Sequence, residues 1–165
     1  LKVIGDFERI ADHGVNLLES AQELKGKGLV FTREAQAEYG LLSAAVEEIL
    51  GLSLRAFLEN DLEAARRVEP LEQVIDLLKE KFRSSHILRL QDGSCSIEAG
   101  FVWSDILTNL ERTADHCSNI AGCVTDIAER NMNLHESLRD FRDGNAEFHE
   151  RFEEYRRKYA PAMDA

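Results

Sequence analysis

Apolar residues recur along this chain at intervals of three and four, broken at a few points by glycine, asparagine or aspartate. In the first segment Val3, Phe7, Ile10, Gly14, Leu17, Ala21 and Leu24 keep that spacing, with Ile4, Ala11 and Leu18 beside them. This is the wide apolar stripe of a bundle helix, and Gly26 and Gly28 end it. Thr32 is placed to cap a second helix that runs to about Glu59 on Leu41, Leu42, Ala45, Ile49, Leu52, Ala56 and Phe57. Asn60 and Asp61 mark a turn. A third helix, to about Leu90, turns Leu71, Ile75, Leu78 and Phe82 inward. Pro70 predicts a kink or a fresh first turn, because its nitrogen cannot donate a hydrogen bond. After Asp92 and Gly93 a fourth helix, from about Ser96 to Arg130, carries Trp103, Ile106, Leu110, Cys117, Ile120, Val124 and Ile127 on one stripe. Beyond Asn131 the pattern changes. Asn133 is a candidate cap for a short helix over Glu136 to Arg142, Gly144 interrupts, and the charged run at 148–159 is expected to pack along the bundle or against a second copy.

The expected fold is therefore all-α, an antiparallel helical bundle over residues 1–130 with a C-terminal helical tail over 131–165. Among 165 residues the net charge is −11. That balance excludes nucleic acid as a partner, since counterion release needs clustered Lys and Arg, and it disfavours an anionic membrane surface. Cys95, Cys117 and Cys123 form neither a disulfide framework nor a thiolate zinc pattern, so a reducing compartment is expected. No run is long and apolar enough for a membrane helix, and no signal peptide is evident. Leu1 stands already inside a helical pattern, so the chain reads as a piece of something longer.

One stretch changes this bland picture. FERIADHGVN at 7–16 returns as LERTADHCSN at 110–119, repeating Glu8, Arg9, Ala11, Asp12, His13 and Asn16 as Glu111, Arg112, Ala114, Asp115, His116 and Asn119. What recurs is mostly polar, whereas a repeat kept for packing would repeat its apolar residues. In each helix the Glu and Asp fall four residues apart on the flank away from the apolar stripe, where like charges cost roughly 0.2–0.5 kcal/mol unless a cation lies between them. Glu72 and Asp76 form a third such pair, with Glu69 one turn earlier. An antiparallel hairpin of helices three and four that turns at Asp92-Gly93 sets Glu72 level with Asp115 and Asp76 with Glu111. Four carboxylates then converge across one seam, where a hard divalent or trivalent metal held through oxygen is the obvious remedy for their repulsion.

No ExxH pair is present, which argues against a buried di-iron bundle centre. His13 and His116 lie beside the repeated acids, where hydrogen bonding to a neighbouring carboxylate is a commoner role than metal ligation. No nucleophile-base grouping, phosphate loop or HExxH occurs, and nothing in the sequence requires an enzyme.

ERIADHGVN and ERTADHCSN resemble the ERIGDHxxN motif of the PhoU family, regulators of bacterial phosphate uptake, with Ala11 and Ala114 in place of the motif's glycine. VEPLEQVIDLL, SSHILRLQDGSCS and ILTNLERTADHCSNIA are further similar to the PhoU-like domain at the cytoplasmic C-terminus of bacterial sodium/phosphate cotransporters. The resemblance implies a repeat of three-helix bundles, here truncated at its N-terminus, whose paired ExxxD motifs bind clusters of iron or zinc on the bundle surface. Carried onto this chain, it makes Glu111 and Asp115 one motif, Glu72 and Asp76 its acidic partners, and Glu8 and Asp12 the motif of a preceding bundle. That last site is incomplete unless the tail or a second chain supplies ligands.

The expected function is a metal-binding regulatory domain of phosphate transport, with Glu72, Asp76, Glu111, Asp115, Glu8, Asp12 and Glu69 as ligands and no catalytic residues. Its expected partners are the membrane transport domain of the same chain or a phosphate transporter, with a homodimer as a further expectation. Its place is expected to be the cytoplasm, tethered to the inner membrane. The competing expectation is a metal-free acidic module that docks a basic partner or mediates oligomerisation.

Overall fold

A computed structural model describes the backbone of residues 2–131 and 134–160 and the side chains of 2–129 and 146–160. Its order is α1 (Lys2–Lys27), α2 (Arg33–Glu59), α3 (Leu62–Gln91), α4 (Ile97–Asn131) and α5 (Leu134–Tyr159), with no strand among the described residues.

The breaks fall where backbone chemistry requires them. α1 ends before Gly28, whose φ of 62° suits a residue without a Cβ. Thr32 Oγ1 accepts from the Ala35 N–H at 3.2 Å and caps α2. Asn60, in the left-handed region, closes α2, and the next residue, Asp61, already caps α3 by accepting from Ala64 N–H at 3.0 Å. At the α3–α4 turn Gly93 takes a φ of 77°, Asp92 Oδ1 accepts from Ser94 N–H, and Ser96 Oγ accepts from Ala99 N–H. α3 continues through the buried Pro70 as one helix rather than starting afresh there.

α2, α3 and α4 form the core. Leu42, Ile49, Leu71, Ile75, Leu78 and Trp103 are essentially inaccessible to water, and truncating such a Leu or Ile typically costs about 2–5 kcal/mol. Near the hairpin tip Arg89 grips Glu38 through two bonds of 3.0 and 2.8 Å, and its guanidinium lies 5.7 Å from the centre of the Trp103 ring. That contact ties the start of α2 to the end of α3 and the head of α4.

α5 departs from expectation. It is one helix through Gly144, not a short helix and a second segment, while the proposed Asn133 cap lies outside the described residues. It packs along α3 and reaches α2. Tyr155, Tyr159 and Ala160 join the buried core, and Glu48 accepts from Lys158 and Tyr159. The apolar stripes also need correction at their edges: Leu41, Phe57 and Ile127 are exposed, because they flank the buried arcs of α2 and α4 rather than face them.

α1 packs chiefly on α4, on a stripe that keeps Val3, Phe7, Ile10, Leu17 and Leu24 of the expected one, all partly buried, and adds polar positions to it. Gly14 and Ala21 are exposed, whereas Asp6 and Ser20 are buried and Ile10, Leu17 and Leu24 rest against the core. The helix is turned so that polar residues line much of its inner side. Ile4, Val15 and Leu18 are left more than half exposed.

Candidate metal centre

On α3, Glu69, Glu72, Asp76 and Lys79 follow one another at helical intervals along the flank of the buried Leu71–Ile75–Leu78 arc. On α4, Glu111, Asp115 and Ser118 do the same beside Leu110, Ala114 and Cys117. Because each acid neighbours a core residue on its own helix, packing α3 on α4 forces the two acidic flanks into one seam. Ser118 donates to Glu69 Oε2 across that seam, in the register that sets Glu72 level with Asp115.

One carboxylate oxygen from each of Glu72, Asp76 and Asp115 lies within 4.8 Å of the other two, as a shared cation would require. Glu72 bears the strain of this arrangement most. Burial, then the charges of Asp76, Glu69, Asp115 and Glu111, push its carboxyl up to about 7. Asp76 and Asp115 are shifted upward too, first by their packing in the seam and then by Glu111, although Asp76 keeps an exposed edge.

Glu111 and Glu69 border this trio. Glu111 Oε1 takes the Lys79 ammonium at 3.5 Å, and Arg112 lies 3.9 Å from its other oxygen and 3.7 Å from Asp115. Glu69 is occupied by Ser118. Lys79 and Ser118 escaped sequence reasoning, since a lysine one turn beyond an acid pair is too common to stand out.

Glu8 and Asp12 project from α1 into solvent. Asp12 has Arg9 at 3.9 Å, and among the described residues neither acid joins a group of three potential ligands.

The remaining letters of the repeat have a different job. α1 and α4 run antiparallel, and each motif clamps the other. His13 Nδ1 and Asn16 Nδ2 donate to Asn109 Oδ1 at 2.8 and 3.0 Å, while His116 Nδ1 and Asn119 Nδ2 donate to Asp6 Oδ1 at 2.9 and 3.2 Å. The two imidazoles stack between these halves with ring centres 5.6 Å apart. Asp6 and Asn109 each stand two residues before the Glu of their motif, so the repeat begins two residues earlier than identity alone shows. Sequence comparison stops short there because Asp and Asn differ. The latch uses only Oδ1 of Asp6, and Asp6 Oδ2 is buried without a hydrogen bond among the described residues. The histidines are thus committed to the α1–α4 contact, which leaves the carboxylates as the natural donors for a cation.

The sequence profile of the PhoU domain matches residues 40–124, which include α3, most of α2 and α4, and every acid of the seam. The chain belongs to the PhoU family. Over 147 residues this PhoU domain is 31% identical to the phosphate-specific transport system accessory protein PhoU homolog 1 of Thermotoga maritima. The match takes in 88% of the chain but only 61% of that relative's length. No solved structure matches it. No helix among the described residues is long and apolar enough to cross a membrane.

Proposed function

We propose that this PhoU domain is a metal-binding regulator of phosphate transport, with Glu72, Asp76, Asp115 and Glu111 as its principal ligands and Glu69 at their edge. The observation that carries the reading is the convergence of Glu72, Asp76 and Asp115 from two helices, with Glu72 driven up to about 7 by neighbours of its own sign. A bound cation would reverse that repulsion, draw α3 and α4 together and hold the seam in one geometry. The donors are all oxygen, which suits iron or manganese better than zinc, whose structural sites favour sulfur and nitrogen.

The regulatory role is supported by family membership and by a relative whose name places it in a phosphate-specific transport system. In this reading the domain works at the cytoplasmic side, as the soluble end of a sodium/phosphate cotransporter or docked on a phosphate transporter. It acts through binding and not by catalysis.

The test is metal content by mass spectrometry after purification without chelator, for the parent and for Glu72→Gln/Asp115→Asn. Stoichiometric metal lost in the variant supports the centre. Equal metal in both, or none after reconstitution, rejects it.

A second reading, an acidic docking module, is favoured by Ile97 and Phe101, each 71% exposed at the head of α4. Ile97 lies about five turns before Asp115 and so on the same side of the helix. A basic amphipathic partner would meet apolar anchors at the hairpin tip and acids farther along. Steep salt dependence of partner binding, unchanged by chelator, would select this reading.

A further inference from the structure

The acid that stands apart from the trio is held by a lysine on the helix that carries Glu72 and Asp76. Lys79 lies one turn beyond Asp76, with Nζ 3.5 Å from Glu111 Oε1 and 3.3 Å from Glu80 Oε1. The Lys79 and Glu111 side chains are 22% and 17% exposed, so this pair sits within the seam and is screened less than a surface contact. Arg112, the other cation at Glu111, is 59% exposed and touches its neighbours only at long range. Glu111 is level with Asp76 across the seam, yet its oxygens do not join the three that converge.

We propose that Lys79 sets the affinity of the metal centre, as a tethered cation that occupies Glu111 until an incoming ion displaces it. This rests on the carboxylate-metal reading above and adds the regulation of that site. Two cations cannot share one carboxylate at contact distance without strong repulsion, so full ligation by Glu111 requires the ammonium to leave. Lysine suits the task. Its head is compact and strongly hydrated on a flexible stem, so it can swing toward water more readily than a guanidinium held by a bidentate fork. An ion of higher charge competes better with the ammonium, which biases the centre against monovalent ions.

The experiment titrates the full chain with Mn²⁺, a cation that prefers oxygen ligands, at pH 7.5, following the free-ion spin-resonance signal. Lys79→Gln should bind Mn²⁺ on the order of tenfold more tightly, whereas Lys79→Arg, which keeps the charge, should stay close to the parent. Glu111→Gln should weaken binding in the parent, though by less than the loss of an unoccupied ligand would, because the ion no longer has to displace Lys79 from it. In the Lys79→Gln background the same change should weaken binding markedly. As a second readout, acylation of the Lys79 amine, read by peptide mass spectrometry, should increase when Mn²⁺ saturates the site.

Unchanged or weaker binding by Lys79→Gln, or Lys79 labelling that ignores Mn²⁺, overturns the proposal while leaving the metal centre in place. A parent that binds Mn²⁺ no better than Glu72→Gln/Asp115→Asn overturns the metal reading and this proposal with it.

Discussion

The two copies of the repeated motif carry the same letters in different company. On α4, Glu111 and Asp115 face Glu72 and Asp76 across a helix seam, and the group is crowded enough to displace its own ionisation. On α1, Glu8 and Asp12 face solvent. The inner residues are equally engaged in both copies, because each half of the latch takes its acceptor from the other helix. One motif therefore has two separable sides. Its inner side joins helices, and its outer side gathers carboxylates only where a second acidic helix is packed against it.

The sharpest way to break that comparison is to remove the outer acids of each copy. Glu111→Ala/Asp115→Ala should abolish stoichiometric metal, whereas Glu8→Ala/Asp12→Ala should leave at least most of it, as measured by mass spectrometry on protein purified in parallel. Equal losses would mean that the α1 pair contributes as much as the seam.

Next comes the latch. Asp6→Ala takes the buried acceptor away from His116 and Asn119 and should cost about 2–3 kcal/mol. Asn109→Ala, which removes an acceptor that is itself only partly buried, should cost about 1–2 kcal/mol. Hydrogen exchange should show the loss concentrated in α1, with α2 and α3 protected as before.

The third prediction concerns pH in metal-free protein. The folded Glu72 carboxyl titrates at about 7 against an ordinary value of 4.5. Below 4.5 it is protonated in both states and costs nothing. Between 4.5 and 7 the folded state keeps a proton that the unfolded chain releases, so stability falls as pH rises, and above 7 the full penalty persists. After allowance for solvent screening that penalty is about 1–2 kcal/mol. Glu72→Gln should accordingly raise the apo protein's stability at pH 8 and leave it nearly unchanged at pH 4, in denaturant titrations at both. The smallest effect is expected for Glu8→Gln, within about 0.5 kcal/mol of the parent at either pH.

Much of this was legible in the sequence, for identifiable reasons. Leu71, Ile75, Leu78, Leu110, Cys117 and Val124 are buried, as their spacing required, and Thr32, Asn60 and Gly93 punctuate the chain at their expected places. Placing the turn at Asp92-Gly93 was enough to bring Glu72 to Asp115. The polar share of the α1–α4 seam was missed because hydrophobic spacing reports only apolar contacts, and that seam is held in large part by Asp6, His13, Asn16, Asn109, His116 and Asn119. α5 was broken at Gly144 because a lone glycine costs a helix about 1 kcal/mol, a penalty the packed C-terminal half through Tyr155 and Tyr159 can offset. Lys79 was missed because its meaning lies in which acid it reaches, a fact of side-chain placement that spacing does not contain.

The reciprocal latch also limits how the two repeats can drift. Each acceptor lies on one helix and its donors on the other, so a substitution at Asp6 is tolerated or not according to residues more than a hundred positions away. Exchanging the acceptors, Asp6→Asn together with Asn109→Asp, keeps one carboxylate and one amide in the seam. Either change alone alters its charge. The repeats are thus bound as a lineage, free to change together and penalised for changing apart.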